Sequence, residues 1–139
     1  MTDKILNTGR WLFPLSFIMY IGLHLGKPDV GAAFVPDYIP FPYFFNYFTA
    51  VCILAFMVSA LIGKYDKLAY VLIAFYVILM ALMVHLPRAM GHELNMQGMT
   101  GSVEREKELE MVNFFRNLMV TGALLGFARY VAKDKRIIQ

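Results

Sequence analysis

Histidine, asparagine and arginine residues interrupt the apolar stretches of this sequence, close to one end of each stretch. His24 closes the first stretch and His85 closes the third. A neutral imidazole can ligate haem iron or a metal, and it can also donate a hydrogen bond to a carbonyl such as that of a quinone. The candidate ligand-binding residues are Tyr20, His24, Asn46, Thr49, His85, Asn113, Arg116 and Asn117.

Helical spacing relates these residues within each stretch. Residues three or four apart lie on the same side of a helix. The sets with this spacing are Tyr20 with His24, Asn46 with Thr49, and Asn113 with Arg116 and Asn117. A small apolar pocket with a few polar groups is the usual site for a small ligand. We therefore expect one polar pocket at this end of the molecule.

Arg116 is the one candidate with a fixed charge inside an apolar stretch. A central arginine costs ~2.5–3.5 kcal/mol on insertion scales, so it either pairs inside a bundle or extends to the membrane surface. A bound anionic ligand is a further alternative, as is an exposed carbonyl. The acidic partners within reach of this end are Asp29, Asp37, Glu93 and Glu110.

Cofactor chemistry is limited by the motifs present. His24 and His85 are predicted at similar depth, which allows haem with two histidine ligands, but no haem-attachment or paired-histidine motif occurs. Quinone is therefore favoured over haem, and no metal site is expected. Cys52 is the only cysteine, which excludes an intrachain disulfide and a paired-cysteine motif. The sequence has no phosphate loop, serine–histidine–acid set or dinucleotide fingerprint.

Four apolar stretches must position these residues. The chain is 59% hydrophobic and 17% charged, whereas soluble proteins are roughly 45–50% apolar and 25% charged. A helix needs roughly 20 apolar residues to cross a bilayer. The stretches 8–26, 43–63, 67–86 and 109–130 meet that need. We predict an all-α integral membrane protein with one domain, residues 1–139, folded as an antiparallel four-helix bundle in the lipid bilayer.

The connecting loops predict the ends of these helices. Four prolines follow the first stretch, at positions 28, 36, 40 and 42, and proline cannot continue a helix. We expect a short interfacial helix or re-entrant turn in this first outer loop. The link 63–67 is tight and predicts a helical hairpin. Ser102 is expected to cap the fourth helix.

Basic residues predict the orientation of the chain. Eight fall on the side that holds both termini: Lys4, Arg10, Lys64, Lys67, Arg129, Lys133, Lys135 and Arg136. Four fall on the other side: Lys27, Arg88, Arg105 and Lys107. Positive residues mark the cytoplasmic side, so both termini are predicted inside a bacterial cytoplasmic (inner) membrane. The net charge of +3 does not indicate nucleic-acid binding, because these residues flank membrane spans.

Two pairs of glycines four residues apart predict close helix packing. Gly22 and Gly26 lie in the first stretch, and Gly122 and Gly126 lie in the fourth. Such pairs let helices approach closely, either within one chain or in a homo-oligomer.

Five segments together resemble the DoxX family of small four-span bacterial membrane proteins. They are 22–28 (GLHLGKP), 35–40 (VPDYIP), 47–51 (YFTAV), 85–87 (HLP) and 115–123 (FRNLMVTGA). The resemblance implies an antiparallel four-helix bundle. It also implies relatives that act as quinone-linked oxidoreductase subunits or as cargo-binding and assembly factors. Family members often carry a glutamate early in span two, whereas residues 50–54 here contain no acid.

These observations predict an auxiliary subunit of a membrane redox system with a polar pocket in the outer leaflet that takes quinone. The alternative is a non-catalytic scaffold or assembly factor that binds another membrane protein or an exported protein. A transporter is the third hypothesis, since four spans could form one only as an oligomer.

Overall fold

The structure is a computed structural model that describes residues 2–92, 102–134 and 136–138. Its regular structure within these ranges is helical, without strands. The helices are α1 (Thr2–Ser16), α2 (Ile18–Gly26), α3 (Pro28–Ala33), α4 (Pro42–Ile62), α5 (Asp66–Met80), α6 (Leu86–Ala89) and α7 (Val103–Tyr130). A π-helical turn, Ala81–His85, joins α5 to α6. Glu93, one predicted partner of Arg116, lies outside the described residues.

Three helical segments are long and apolar enough to cross a membrane. They are Pro42–Ile62 with 21 residues, Asp66–Ala89 with 24 residues and Val103–Tyr130 with 28 residues. This confirms the helical class and the apolar character of the last three predicted spans. Ser102 caps α7 as expected, because its hydroxyl accepts the N–H of Arg105 at 3.4 Å.

The first predicted span differs from the expectation of one helix. The chain divides at Phe17 into α1 and α2. Pro14 lies inside α1, three residues before this division, and has no N–H to donate to the carbonyl of Arg10. The N–H of Phe17 bonds the carbonyl of Pro14 at 3.2 Å, which tightens the last turn of α1. Each half is therefore shorter than a bilayer-spanning helix.

The core joins the two halves of this first segment to the other helices. Helix α2 packs on α4, α4 packs on α5, and α5 packs on α7. Phe13 of α1 stacks on Phe127 of α7, with ring centroids 4.5 Å apart. Tyr70 and Leu124 are among the most completely buried side chains. The helical hairpin α4–α5 turns at Gly63 and Tyr65, both of which have positive φ angles.

The segment after α7 folds back onto the start of α5. One carboxylate oxygen of Asp66 accepts the N–H of Lys133, and the other accepts the N–H of Asp134, both at 2.9 Å. Asp134 in turn accepts the N–H of Tyr65 at 2.7 Å. We call this arrangement the Asp66–Asp134 clamp. It closes the end of the molecule that holds the α4–α5 turn, which we call the turn end.

Candidate functional site

The polar residues predicted from the sequence collect at the opposite end, which we call the α3 end. The last turn of α2 carries His24, and the first turns of α4 carry Asn46 and Thr49. His85 lies in the π-helical turn, and α7 begins nearby with Glu110 on its buried side. The structure divides these residues into separate hydrogen-bonded groups rather than one pocket.

His24 and Asn46 form the first group through two hydrogen bonds. The amide nitrogen of Asn46 donates to the backbone carbonyl of His24 at 2.9 Å. This fixes the amide orientation, so its oxygen faces Nδ1 of His24 at 2.6 Å. An amide oxygen only accepts, and therefore Nδ1 of His24 carries the proton. Asn46 is only 1% exposed, and the pair joins the end of α2 to the start of α4.

His85, Arg88 and Glu110 form the second group, which we call the Glu110 triad. Nδ1 of His85 lies 2.6 Å from one carboxylate oxygen of Glu110. Nε of Arg88 donates to the other oxygen at 3.0 Å. Glu110 and Arg88 are 2% and 5% exposed. The guanidinium and the carboxylate neutralise each other, and an N–H of the His85 imidazole can donate to the other carboxylate oxygen.

Further contacts hold Arg88 against the loop after α3. One of its terminal nitrogens donates to the carbonyl of Ala33 at 3.4 Å. Its guanidinium carbon lies 4.6 Å from the centre of the Phe34 ring, within the range of a cation–π contact. The side chain of Asn113 lies beside the carboxylate of Glu110. The Glu110 triad thus ties α6, α7 and the first loop together.

The π-helical turn explains how His85 and Arg88 reach the same carboxylate. Pro87 lacks an N–H, and its ring crowds the carbonyl of Met83. The N–H of Leu86 instead bonds the carbonyl of Ala81, five residues back. A π turn inserts one residue into the helix and rotates everything after it. Arg88 is therefore turned toward α7, where Glu110 is buried.

Thr49 forms a third contact with a residue that the sequence analysis did not select. Its hydroxyl donates to the carbonyl of Phe45 at 2.8 Å. A hydroxyl has one proton, so the contact between Thr49 and the hydroxyl of Tyr76 uses the Tyr76 proton. Tyr76 lies within an apolar stretch of the sequence. No periodic pattern in that stretch indicates that its hydroxyl forms a hydrogen bond.

Arg116 is separate from all of these groups. Its side chain is exposed, and it forms no ion pair among the described residues. Two of its predicted partners are engaged elsewhere: Glu110 in the triad, and Asp29 as acceptor of the Tyr43 hydroxyl at 2.7 Å. Of the alternatives drawn from the sequence, the structure has the outward-facing arginine rather than the pair with Glu110.

The remaining candidates have structural surroundings. Tyr20 packs beside the core, with its ring centre 5.9 Å from that of Phe17. Asn117 is half-buried on the same side of α7 as Asn113. Neither residue is brought into contact with a histidine by the hydrogen bonds of the described chain.

Glu110 could have been selected from spacing alone, since it precedes Asn113 by three residues and Asn117 by seven. Residues with these separations share a helical face. The misleading residue was Arg116, which directly precedes Asn117 and is therefore rotated by about 100° from it.

Room for a ligand is small at this end. A cavity of about 10 Å³ lies beside Arg88 and is lined by Ala33, Phe34, Val35, Pro36, Asp37 and Val84. That volume corresponds to about one water molecule, whereas ligand sites are roughly 300–1,000 Å³. In the residues that the structure describes, no group of three histidine, cysteine or acidic side chains could hold a metal ion.

Comparison of the chain with protein-family models, with curated proteins and with solved structures gave no match. The resemblance to the DoxX family therefore stays a prediction from the sequence.

Proposed function

We propose that this chain is a non-catalytic membrane scaffold or assembly factor that binds a partner membrane or exported protein. The observation that carries the proposal is that the polar groups of the chain form hydrogen bonds with other groups of the same chain. His24 bonds Asn46. Glu110 bonds His85 and Arg88, and the cavity beside Arg88 has space for about one water molecule. Such groups hold helices in one arrangement and offer little to a substrate.

We also propose how the chain lies in the membrane. Residues 2–26 would form the first of four spans, completing an antiparallel four-helix bundle with α4, α5–α6 and α7. Helix α3 would lie at the outer interface, and the turn end would face the cytoplasm of a bacterium. The eight-to-four division of basic residues supports this orientation.

The partner would bind the outward side of α7. Arg116 lies there beside exposed Val112, Phe115 and Met119. A guanidinium on the lipid-facing side of a span is costly, by ~2.5–3.5 kcal/mol at the centre of a bilayer. A carboxylate or an unpaired carbonyl in the partner's span would reduce this cost. The apolar neighbours of Arg116 would supply the packing.

The second candidate is an auxiliary subunit of a quinone-linked redox system, related to DoxX-type subunits. One observation favours it: the Glu110 triad couples an imidazole to a buried carboxylate. Quinone reduction takes up protons, and such a pair can exchange them. Binding would require α3 and its loop to move, because the present cavity cannot hold a quinone ring.

Site-specific photocrosslinking in intact cells tests the scaffold proposal. Phe115 of α7 and Phe75 of α5 form a matched pair, since they are 57% and 62% exposed on spanning helices. A photoreactive residue at position 115 should crosslink one membrane or exported protein, and the product should be lost with Arg116→Leu. The probe at position 75 should not give that product.

Solvent extraction of the same purified protein tests the second candidate. About one quinone per chain that is lost with His85→Ala would replace the scaffold proposal with the redox one. If no quinone is extracted and positions 115 and 75 crosslink equally, neither the scaffold function nor the redox function is supported.

A further inference from the structure

A groove at the turn end is separate from the polar groups at the α3 end. It lies between α1 and the end of α7 and has a volume of about 280 Å³. Its lining residues are Asn7, Gly9, Arg10, Phe127, Tyr130 and Val131. The groove is far larger than the cavity beside Arg88.

The lining combines one cation with neutral hydrogen-bond donors and apolar walls. Arg10 offers a guanidinium, Asn7 an amide and Tyr130 a hydroxyl. Phe127 and Val131 form the apolar part. A Cβ at Gly9 would have no heavy atom within 4 Å, so this position faces open space. The arrangement suits an anion attached to an apolar tail.

Arg10 keeps its charge available in this groove. Its guanidinium carbon lies 5.6 Å from the centre of the Trp11 ring. Its Nη2 would be 3.5 Å from a Cβ at Gly63. Among the side chains that the structure describes, no carboxylate forms an ion pair with Arg10.

The surroundings of the groove are positively charged. Lys64, Arg129 and Lys133 are exposed at the same end. The acids described there are engaged, because Asp66 accepts three backbone N–H groups and Asp134 pairs with Arg136 at 2.6 Å. Basic pockets between spans on the cytoplasmic side bind the headgroups of anionic lipids.

We propose that this groove binds the phosphate group of an anionic phospholipid. Arg10 would hold the phosphate, with Asn7 and Tyr130 as neutral donors. The apolar part of the lipid would contact Phe127 and Val131, beside the stack of Phe13 on Phe127. Trp11 and Tyr130 are exposed beside the groove, where aromatic residues sit at the level of lipid headgroups. This inference does not depend on the partner proposed for α7.

Native mass spectrometry of the full chain in mild detergent tests the inference. Delipidated protein would be titrated with dioleoyl phosphatidylglycerol or with dioleoyl phosphatidylcholine. We expect one phosphatidylglycerol to bind more tightly than phosphatidylcholine. Arg10→Gln should weaken phosphatidylglycerol binding by about tenfold, since it removes charge-assisted hydrogen bonds to phosphate.

Arg129→Gln is the matched control, because Arg129 is an exposed arginine at the same end that does not line the groove. It should change the affinity by less than about twofold, the effect of removing one screened surface charge. Arg10→Lys guards against misfolding, since it keeps the positive charge and should retain part of the binding. Unchanged binding by Arg10→Gln would overturn the inference. Equal losses in Arg10→Gln and Arg129→Gln, or full displacement by inorganic phosphate at millimolar concentration, would also overturn it.

Discussion

Gly31 of α3 lies directly against the side chain of Asn46 in α4. A Cβ at position 31 would overlap the amide oxygen of Asn46, and it would lie 2.8 Å from Cγ of Asn46 and 3.2 Å from Nδ1 of His24. The absence of a side chain at Gly31 therefore lets α3 close over the hydrogen bonds between His24 and Asn46.

Replacement of Gly31 by alanine should push α3 away from the hydrogen-bonded pair of His24 and Asn46. We expect Gly31→Ala to lower the free energy of unfolding by about 1–3 kcal/mol, the range for inserting a methyl group into a packed site. Thermal unfolding in detergent measures the change. Gly22→Ala is the control, because a Cβ at Gly22 would have no heavy atom within 4 Å. Equal melting temperatures for the two variants would contradict the close packing.

Loss of the carboxylate from the Glu110 triad should be strongly destabilising. Glu110→Gln leaves the buried guanidinium of Arg88 without a counter-charge, and we expect a loss of about 3–5 kcal/mol. Glu108→Gln on the exposed side of α7 should stay within about 0.5 kcal/mol of the parent. The double variant Arg88→Met with Glu110→Leu should recover most of the loss, because no charge remains buried. A double variant as unstable as Glu110→Gln would disprove the pairing.

Replacing Arg116 of α7 and replacing Arg88 of α6 should differ sharply in their effect on stability. Arg116 is exposed, so Arg116→Leu should alter the unfolding free energy of the purified protein by less than about 0.5 kcal/mol. Arg88→Leu should cost about 3–5 kcal/mol, since it orphans the buried Glu110. Chemical or thermal unfolding of both variants in the same detergent makes the comparison. A large loss from Arg116→Leu would mean that Arg116 has a buried partner.

The ionised carboxylate of Asp134 in the Asp66–Asp134 clamp should make the stability of the fold depend on pH. The hydrogen bond from the Arg136 side chain and the N–H of Tyr65 hold the pKa of Asp134 well below its usual range. A lowered pKa in the folded state contributes stability above the unfolded pKa of about 3.9, and this contribution is lost as the pH falls further. Asp134→Asn should therefore melt at a lower temperature than the parent near neutral pH. The difference in melting temperature between Asp134→Asn and the parent should narrow as the pH falls below about 4. A gap that is constant with pH would show that the charge of Asp134 is not involved.

Cysteine labelling tests the proposed orientation. In a chain with Cys52→Ala, a cysteine replacing exposed Asp37 should react with a membrane-impermeant thiol reagent added to intact cells. A cysteine replacing exposed Lys133 should react only after the cells are opened. The reverse pattern would place the turn end outside and would invalidate the orientation drawn from the basic residues.

Composition and periodicity were sufficient to predict the helical class and the three long apolar helices. Pro14 indicates a bend in the first stretch, but the continuous hydropathy of that stretch could not predict the division at Phe17. Composition and periodicity also missed the rotation produced by the π-helical turn, since one inserted residue leaves hydrophobicity unchanged while it moves Arg88 toward Glu110. Apolar composition likewise concealed Tyr76, whose hydroxyl is the partner of Thr49.

The Asp66–Asp134 clamp has a consequence for the order of events during synthesis. Asp66 accepts the backbone N–H groups of Lys133 and Asp134, which follow it in the chain by 67 and 68 positions. The α4–α5 hairpin therefore leaves the ribosome long before its carboxylate can find those donors. Until residues 133 and 134 emerge, Asp66 has only the adjacent N–H of Lys67. A nascent chain stopped at Tyr130 would contain every helix of the described residues and still lack the clamp that joins the segment after α7 to the start of α5.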